Sequence, residues 1–483
     1  MRVLRRWVLW SLVVVLAAGC VSTAPTPALA RNHARETVAT TALDRYVAKP
    51  DPNFEYDLLH TIDGDGWTGY VLHMVSQQWR TADEVDRPIW EHWLTIVCPD
   101  DVRSDTAMML VGGGNNKSKP PRGADVNLRT VAMATHSVAA TVQIVPNEPL
   151  RFADRDYTLN EDGIIAYTWE KYLRTGDEEW PLRLPMTKAV VRAMDTVQEF
   201  CASRKGGRHE IESFVVAGGS KRGWTTWTTA AVDNRVVACV PIVIDLLNVQ
   251  QSFKHHYEVY GDWAPAIRDY TKLGLMDWMG SKEYAALMDI VDPYSYRDRL
   301  TMPKLIVNAG SDQFFVPTSS QFYIDDLKGP TYLSYVPNQG HGGCGEDGMG
   351  SLAAFHGFVV TQTPLPTYHW EFPDDNTIRV TTPSATTAVQ LWQVTNPKAR
   401  DFRVDVVGKA WTPTNLEDRG GGVFEAHVET PPEGWTAFLI QLSFASPTNM
   451  ALKCSSPVRV VPNTLPYTFT WPEHPEGGFL SGK

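Results

Sequence analysis

A serine hydroxyl is a weak nucleophile at neutral pH, and this chain contains three residues whose types and order could activate one: Ser220, Asp312 and His341. Such chemistry needs a histidine base, a carboxylate that orients it, and hydrogen-bond donors for the oxyanion. Ser220 lies in FVVAGGSKRGWTTWTT, residues 214–229, where an apolar run meets two glycines, the serine and a third glycine, Gly223, before a helical pattern begins. That order reads as strand, sharp turn and helix, with Gly218 and Gly219 giving the backbone room to bend and push the serine out of the sheet. The usual elbow pattern is G-x-S-x-G, whereas here Arg222 stands two after the serine and the glycine falls one later. A G-x-S between strand and helix also suits a plain turn with the serine as N-cap. The other two residues therefore carry weight.

Asp312 follows an apolar run at 304–308, in Gly310-Ser311-Asp312, and His341 follows one at 332–336, in Asn338-Gln339-Gly340-His341. Each stands just past the C-terminal end of an expected strand, where open parallel sheets place their sites. The chain order Ser, acid, His is the one used on α/β sheets. Asp245, at the end of a run from 236 to 244, competes for the acid role, and His255, His256 and His356 compete for the base; none of these histidines stands in a glycine-rich loop directly after a strand. The run at 107–111 leads into Gly112-Gly113-Gly114, an oxyanion loop in which Gly113 or Gly114 gives one backbone N–H and Lys221, after the nucleophile, gives the other. The same glycines could serve packing alone. Lys221 and Arg222 either meet an anionic part of the substrate or pair with acids of the fold, with the second favoured. The adjacent His255 and His256 point in different directions and pair with nothing at metal-ligand spacing, so no metal and no cofactor is expected.

The elements that must hold these residues are legible from periodicity. Apolar, β-rich runs at 56–61, 67–79 and 92–98 come first, with Asp63-Gly64-Asp65-Gly66 as a hairpin turn that lacks the downstream glutamate of a calcium loop. Further runs at 107–111, 138–145, 214–217, 236–244, 304–308 and 332–336 alternate with helical patterns such as 187–203 and 352–360. That alternation implies a mostly parallel sheet with helices on both faces, an α/β fold. Residues 246–300 separate two strands by far more than an ordinary connection and are rich in Trp and Tyr, so they are expected as a lid-like insertion or pocket wall. Helical periodicity stops near residue 363. Runs at 377–382, 388–394, 402–407, 423–428, 436–444 and 458–461 then suggest a smaller β-sandwich. The expected layout is a main domain at 35–364 and a β-rich domain at 365–483.

The 483 residues are 43% hydrophobic and 20% charged, with a formal charge of −11, which argues against nucleic acid as a partner. Seventeen Trp suit a large core or an aromatic binding cleft. Residues 1–20 read as an export signal: Arg2, Arg5 and Arg6, an apolar run from 7 to 18, then Gly19-Cys20. Leu16-Ala17-Ala18-Gly19-Cys20 resembles a bacterial lipobox, which would acylate Cys20 and anchor the chain to the cell envelope, with 21–34 as tether. Simple cleavage after Ala28-Leu29-Ala30 is the alternative. Five cysteines then remain in an oxidising compartment, so at least one stays unpaired.

The run AGGSKRGWTTW at 217–227, NAGSDQFF at 308–315, and the later LWQVTN at 391–396 with RDFR at 400–403 together resemble the PhoPQ-activated pathogenicity-related protein family. The resemblance spans about residues 35–465. It implies an α/β-hydrolase domain with a β-rich extension, and it carries Ser220, Asp312 and His341 over as a triad. The family implies no substrate. The sequence therefore points to an exported, lipid-anchored serine hydrolase of a small-molecule or peptide ester or amide. The alternatives are a peptidase of the same fold and a binding or signalling protein that keeps the fold without turnover.

Overall fold

Nine apolar segments, β1 (Glu55–Gly64), β2 (Trp67–Gln78), β3 (Ile89–Pro99), β4 (Thr106–Val111), β5 (Ala139–Val142), β6 (Ser213–Gly219), β7 (Val236–Ile242), β8 (Lys304–Ala309) and β9 (Thr331–Val336), join in one sheet of order β1-β2-β3-β5-β4-β6-β7-β8-β9. The first three form an antiparallel meander, β3 meets β5 antiparallel, and from β5 onward all pairs are parallel. The computed structural model describes residues 40–481, so Cys20 and the segments 1–20 and 21–34 lie outside the described residues.

Burial explains the strand sequences. β1 alternates between exposed and half-buried positions, as an edge strand with one wet face should. The parallel strands are buried on both faces, and their side chains alternate between two cores: Phe214 and Val216 of β6 join one, Val215 and Ala217 the other. The first core takes residues from α3 (Glu161–Thr175), α4 (Arg183–Ala202) and α5 (Lys221–Val232), together with the short α1 (Ala42–Ala48). The second takes residues from α2 (Val126–Thr135) and α9 (Gly345–Val360). Between β7 and β8 the long insertion folds as α6 (Val249–Tyr260), α7 (Arg268–Lys272), α8 (Lys282–Val291) and three short 3₁₀ turns. The expected hairpin between β1 and β2 turns at Gly66, whose φ of 77° favours glycine.

After α9 the chain forms two antiparallel sheets. One holds β10 (His369–Asp374), β11 (Thr377–Thr381) and β14 (Val423–His427). The other holds β12 (Ala388–Asn396), β13 (Thr412–Asn415), β15 (Trp435–Phe444), β16 (Leu452–Ser455) and β17 (Arg459–Val461). One expectation fails here: residues 402–407 are not a strand but lead into a single turn of helix, α10 (Val404–Val407). The β-branched composition is overridden by tertiary bonds, because Val404 N–H donates to Ser311 O at 3.0 Å and Arg403 is forked onto Asp401. β13 and β16, four residues each, are too short for a period-two pattern to register. From Thr41 onward the described chain is one compact unit. Its five cysteines are free and buried, and among the described residues no helix is long and apolar enough to cross a membrane.

Candidate active site

Ser220 stands between the end of β6 and the start of α5 with φ 56° and ψ −124°, a backbone conformation an L-residue adopts only under constraint. Its N–H is held by Ile242 O of β7 at 2.8 Å. Two glycines make the turn sterically feasible. A Cβ at Gly218 would come within 2.7 Å of Arg222 O, and one at Gly223 within 2.8 Å of Gly218 O and 2.9 Å of Ile242 O. Gly219, by contrast, faces open space, so the glycines required for the bend are Gly218 and Gly223 and not the Gly218–Gly219 pair.

The loops after β8 and β9 bring the two other residues to this point. His341 Nε2 is 2.7 Å from Ser220 Oγ, and Nδ1 is 3.0 Å from both carboxylate oxygens of Asp312. Asp312 is buried and accepts from Phe314 N–H at 2.7 Å, which fixes its plane. The imidazole lies against Phe314, ring centroids 4.0 Å apart, and the His341 N–H donates to Gln313 Oε1 at 2.7 Å. The β-rich part of the chain braces both loops: Trp411 Nε1 donates to Ser311 Oγ at 2.9 Å, and Trp411 exchanges two hydrogen bonds of 2.9 Å with Asn338. Gln313 and Trp411 are absent from the sequence reading. Gln313 lies inside the NAGSDQFF run, the one signal that could have flagged it, while Trp411 has none.

The competitors lie elsewhere. Asp245 is buried between Tyr323 OH and Tyr335 OH, at 2.6 and 2.5 Å, and burial pushes its carboxyl up to about 7. His255 bonds Thr318 Oγ1 at 2.8 Å, His256 accepts from Ala264 N–H at 3.0 Å, and His356 bonds Ser137 Oγ at 2.8 Å. Burial lowers all three imidazoles to about 3, so they are neutral core histidines.

Gly112, Gly113 and Gly114 leave the end of β4, which pairs with β6 one strand away from β7, so the loop emerges beside the Ser220 turn. Val145 N–H and Ile144 N–H hold it through the carbonyls of Gly112 and Gly113, at 3.1 and 2.9 Å. Among the described residues the N–H groups of Gly113, Gly114 and Lys221 donate to no protein acceptor, which leaves them available to an oxyanion. Lys221 and Arg222 are engaged with acids of the fold. Arg222 forks onto Glu161 at 2.9 and 3.1 Å, reaches Glu148 at 3.3 Å and donates from Nε to Val145 O at 2.6 Å. Lys221 Nζ pairs with Glu161 and, at 3.3 Å, with Asp162. Burial and the adjacent Glu161 carboxylate push Glu148 up, while at Glu161, whose side chain is about half exposed, partial desolvation is outweighed by the bonds from Arg222, which hold it low.

A small cavity opens at Ser220, with about 20 Å³ for the centre of a water molecule. That is room for about one water or a few heavy atoms. Phe253, Ile267 and Tyr270 of the 246–300 insertion form one wall, so this segment is a pocket wall over the serine, and Arg183 and Asp162 lie in the same lining.

A serine on a strand-to-helix turn, followed in the chain by an aspartate and then a histidine on later strand ends of a largely parallel sheet, defines an α/β-hydrolase fold. The family model of the PhoPQ-activated pathogenicity-related protein matches residues 43–403. The chain belongs to that family. Autocrine proliferation repressor protein A of Dictyostelium discoideum is 36% identical over 460 residues, 89% of this chain and 92% of its own length. Among solved structures, acetyl xylan esterase 1 from Thermoanaerobacterium sp. JW/SL YS485 has a TM-score of 0.47 at 15% identity, over 66% of this chain and 92% of its own. An acetyl xylan esterase from Paenibacillus sp. R4 has a TM-score of 0.44 at 18% identity, over 62% and 86%.

Proposed function

We propose that the chain is a serine hydrolase that cleaves an ester or amide through an acyl-enzyme on Ser220. The observation that supports this reading is the unbroken contact from Ser220 Oγ through His341 to Asp312. In the first half-reaction His341 Nε2 takes the Ser220 proton as Oγ bonds to the carbonyl carbon, and Asp312 stabilises the imidazolium that results. The oxyanion accepts from Lys221 N–H and from Gly113 or Gly114 N–H. His341 then returns the proton to the leaving alcohol or amine, and water repeats the sequence to free the acid. A second reading, a binding or signalling protein without turnover, is favoured by the relative named as a proliferation repressor. A fluorophosphonate separates the two: the hydrolase is labelled at Ser220 alone, and a wild-type protein that takes up no probe moves the second reading ahead.

The glycine loop offers its own test. An ideal Cβ at Gly113 would sit 2.6 Å from Arg222 Nη2, and that guanidinium is too firmly bonded to retreat. Gly113→Ala should displace the loop and lower kcat by about a hundredfold or more, with KM less affected. A kcat close to wild type in a folded variant would take Gly113 out of the oxyanion role.

We also propose that the mature chain begins at an acylated Cys20 and is anchored in the bacterial cell envelope, facing the periplasm or the cell surface, on the strength of the lipobox-like run that ends there. Mass spectrometry of the native protein should find fatty acid on Cys20. An unmodified N-terminus at Arg31 would sink this reading.

A further inference from the structure

Arg183 occupies an unusual position for an arginine. It is only 1% exposed, at the start of α4, and lines the cavity that also contains Ser220. Its guanidinium lies over the Trp224 ring at 4.1 Å, and Nη1 donates to Lys221 O at 2.9 Å and lies 3.9 Å from Met186 Sδ. Nε has no partner, and among the described residues no carboxylate lies within ion-pair distance. Burying a cation without a counter-ion is costly, and one carbonyl acceptor would be served as well by a neutral donor.

The neighbouring acids are only partly available to it: the Asp162 charge favours its cationic form, but from beyond ion-pair distance. Glu161 and Asp162 are matched by Lys221 and Arg222, and Asp162 is further engaged by Tyr270 OH at 3.1 Å. Burial and the adjacent Glu161 push the Glu148 carboxyl up, which weakens it as a counter-ion. Burial lowers Arg183 only to about 10, so it stays charged. Arg183 thus keeps no ion-pair partner of its own, and it lines the cavity.

We propose that this cavity is a subsite for a small carboxylate on the acyl part of the substrate, with Arg183 as its anchor. The inference rests on the serine-hydrolase reading. The acyl side follows from the lining: the leaving group must face His341 to receive its proton, and His341 does not line the cavity, whereas Ser220 and Lys221 do. The size follows from the volume, which admits a carboxylate one or two carbons from the scissile carbonyl and excludes a long chain. Trp224, Phe253 and Ile267 wall the space with apolar surface, where a charge-assisted bond from a guanidinium is strongest.

The test compares ethyl hydrogen malonate with its neutral isostere ethyl malonamate, each kcat/KM divided by the ester's rate with neutral hydroxylamine to remove intrinsic reactivity. The wild type should prefer the malonate by about tenfold to a hundredfold. The preference should vanish in Arg183→Gln and persist in part in Arg183→Lys; as a ratio within each variant, it is insensitive to a general loss of folded protein. A wild-type ratio of one or less overturns the subsite, while turnover of the malonamate leaves the hydrolase reading standing. Free malonate should also protect Ser220 from a fluorophosphonate where malonamide does not, a readout that needs no turnover. Equal protection by the two, or none, overturns the proposal. Absence of labelling altogether fells the hydrolase reading and this inference with it.

Discussion

Ser220→Ala and His341→Ala should each lower kcat on the order of 10⁶, and the double variant should lose little more. The loss is large because the two act as one unit. Without Oγ there is no acyl acceptor, and without Nε2, 2.7 Å away, the hydroxyl keeps its proton. Both side chains sit at the surface of the turn and loop that present them, so the changes leave the two cores untouched. The measurement is kcat on the best ester from an acyl panel, with the rate of fluorophosphonate uptake as a readout that needs no known substrate. Additive losses in the double variant would mean that Ser220 and His341 do not share a step. A Ser220→Ala enzyme that still turns over would remove the acyl-enzyme from the mechanism.

Asp312→Asn should cost about 10⁴ in kcat, and Asp245→Asn should leave the rate near wild type. The argument is geometric. Asp312 Oδ1 is committed to Phe314 N–H at 2.7 Å, so an asparagine places its carbonyl there and its amide nitrogen where Oδ2 was, 3.0 Å from His341 Nδ1. That N–H donates to Nδ1 and favours the tautomer with its proton on Nε2, which cannot accept one from Ser220. The fold is preserved while the base is lost. Asp245 touches two tyrosine hydroxyls and not the imidazole, so its replacement by asparagine acts on stability. Circular dichroism and kcat on both variants decide between them: an intact rate in Asp312→Asn with a lost rate in Asp245→Asn would assign the acid to Asp245.

Much of this site is written in local sequence. The turn at Ser220 is legible because an apolar run, closely spaced glycines and a helical pattern lie within sixteen consecutive residues, and each acts on its own stretch of backbone. The strand ends before Asp312 and His341 are legible for the same reason, as is the alternation that implies a parallel sheet. Choosing between Asp245 and Asp312 is different. Both follow strands of the same sheet, and the outcome depends on Tyr323 and Tyr335 enclosing one while Trp411 and Ser311 brace the loop of the other. Those partners lie up to a hundred residues away in the chain, where no periodicity connects them. The crossing of β4 and β5 in the sheet order and the helical turn at Val404–Val407 are likewise products of tertiary contact, which overrides local preference. Arg183 is the extreme case. Its neighbours in sequence mark it only as the start of a helix, and its charge acquires meaning from a cavity built by α5, the 246–300 insertion and the loop after β8, because burial and the absence of a counter-ion are properties of three-dimensional surroundings that a linear pattern does not carry.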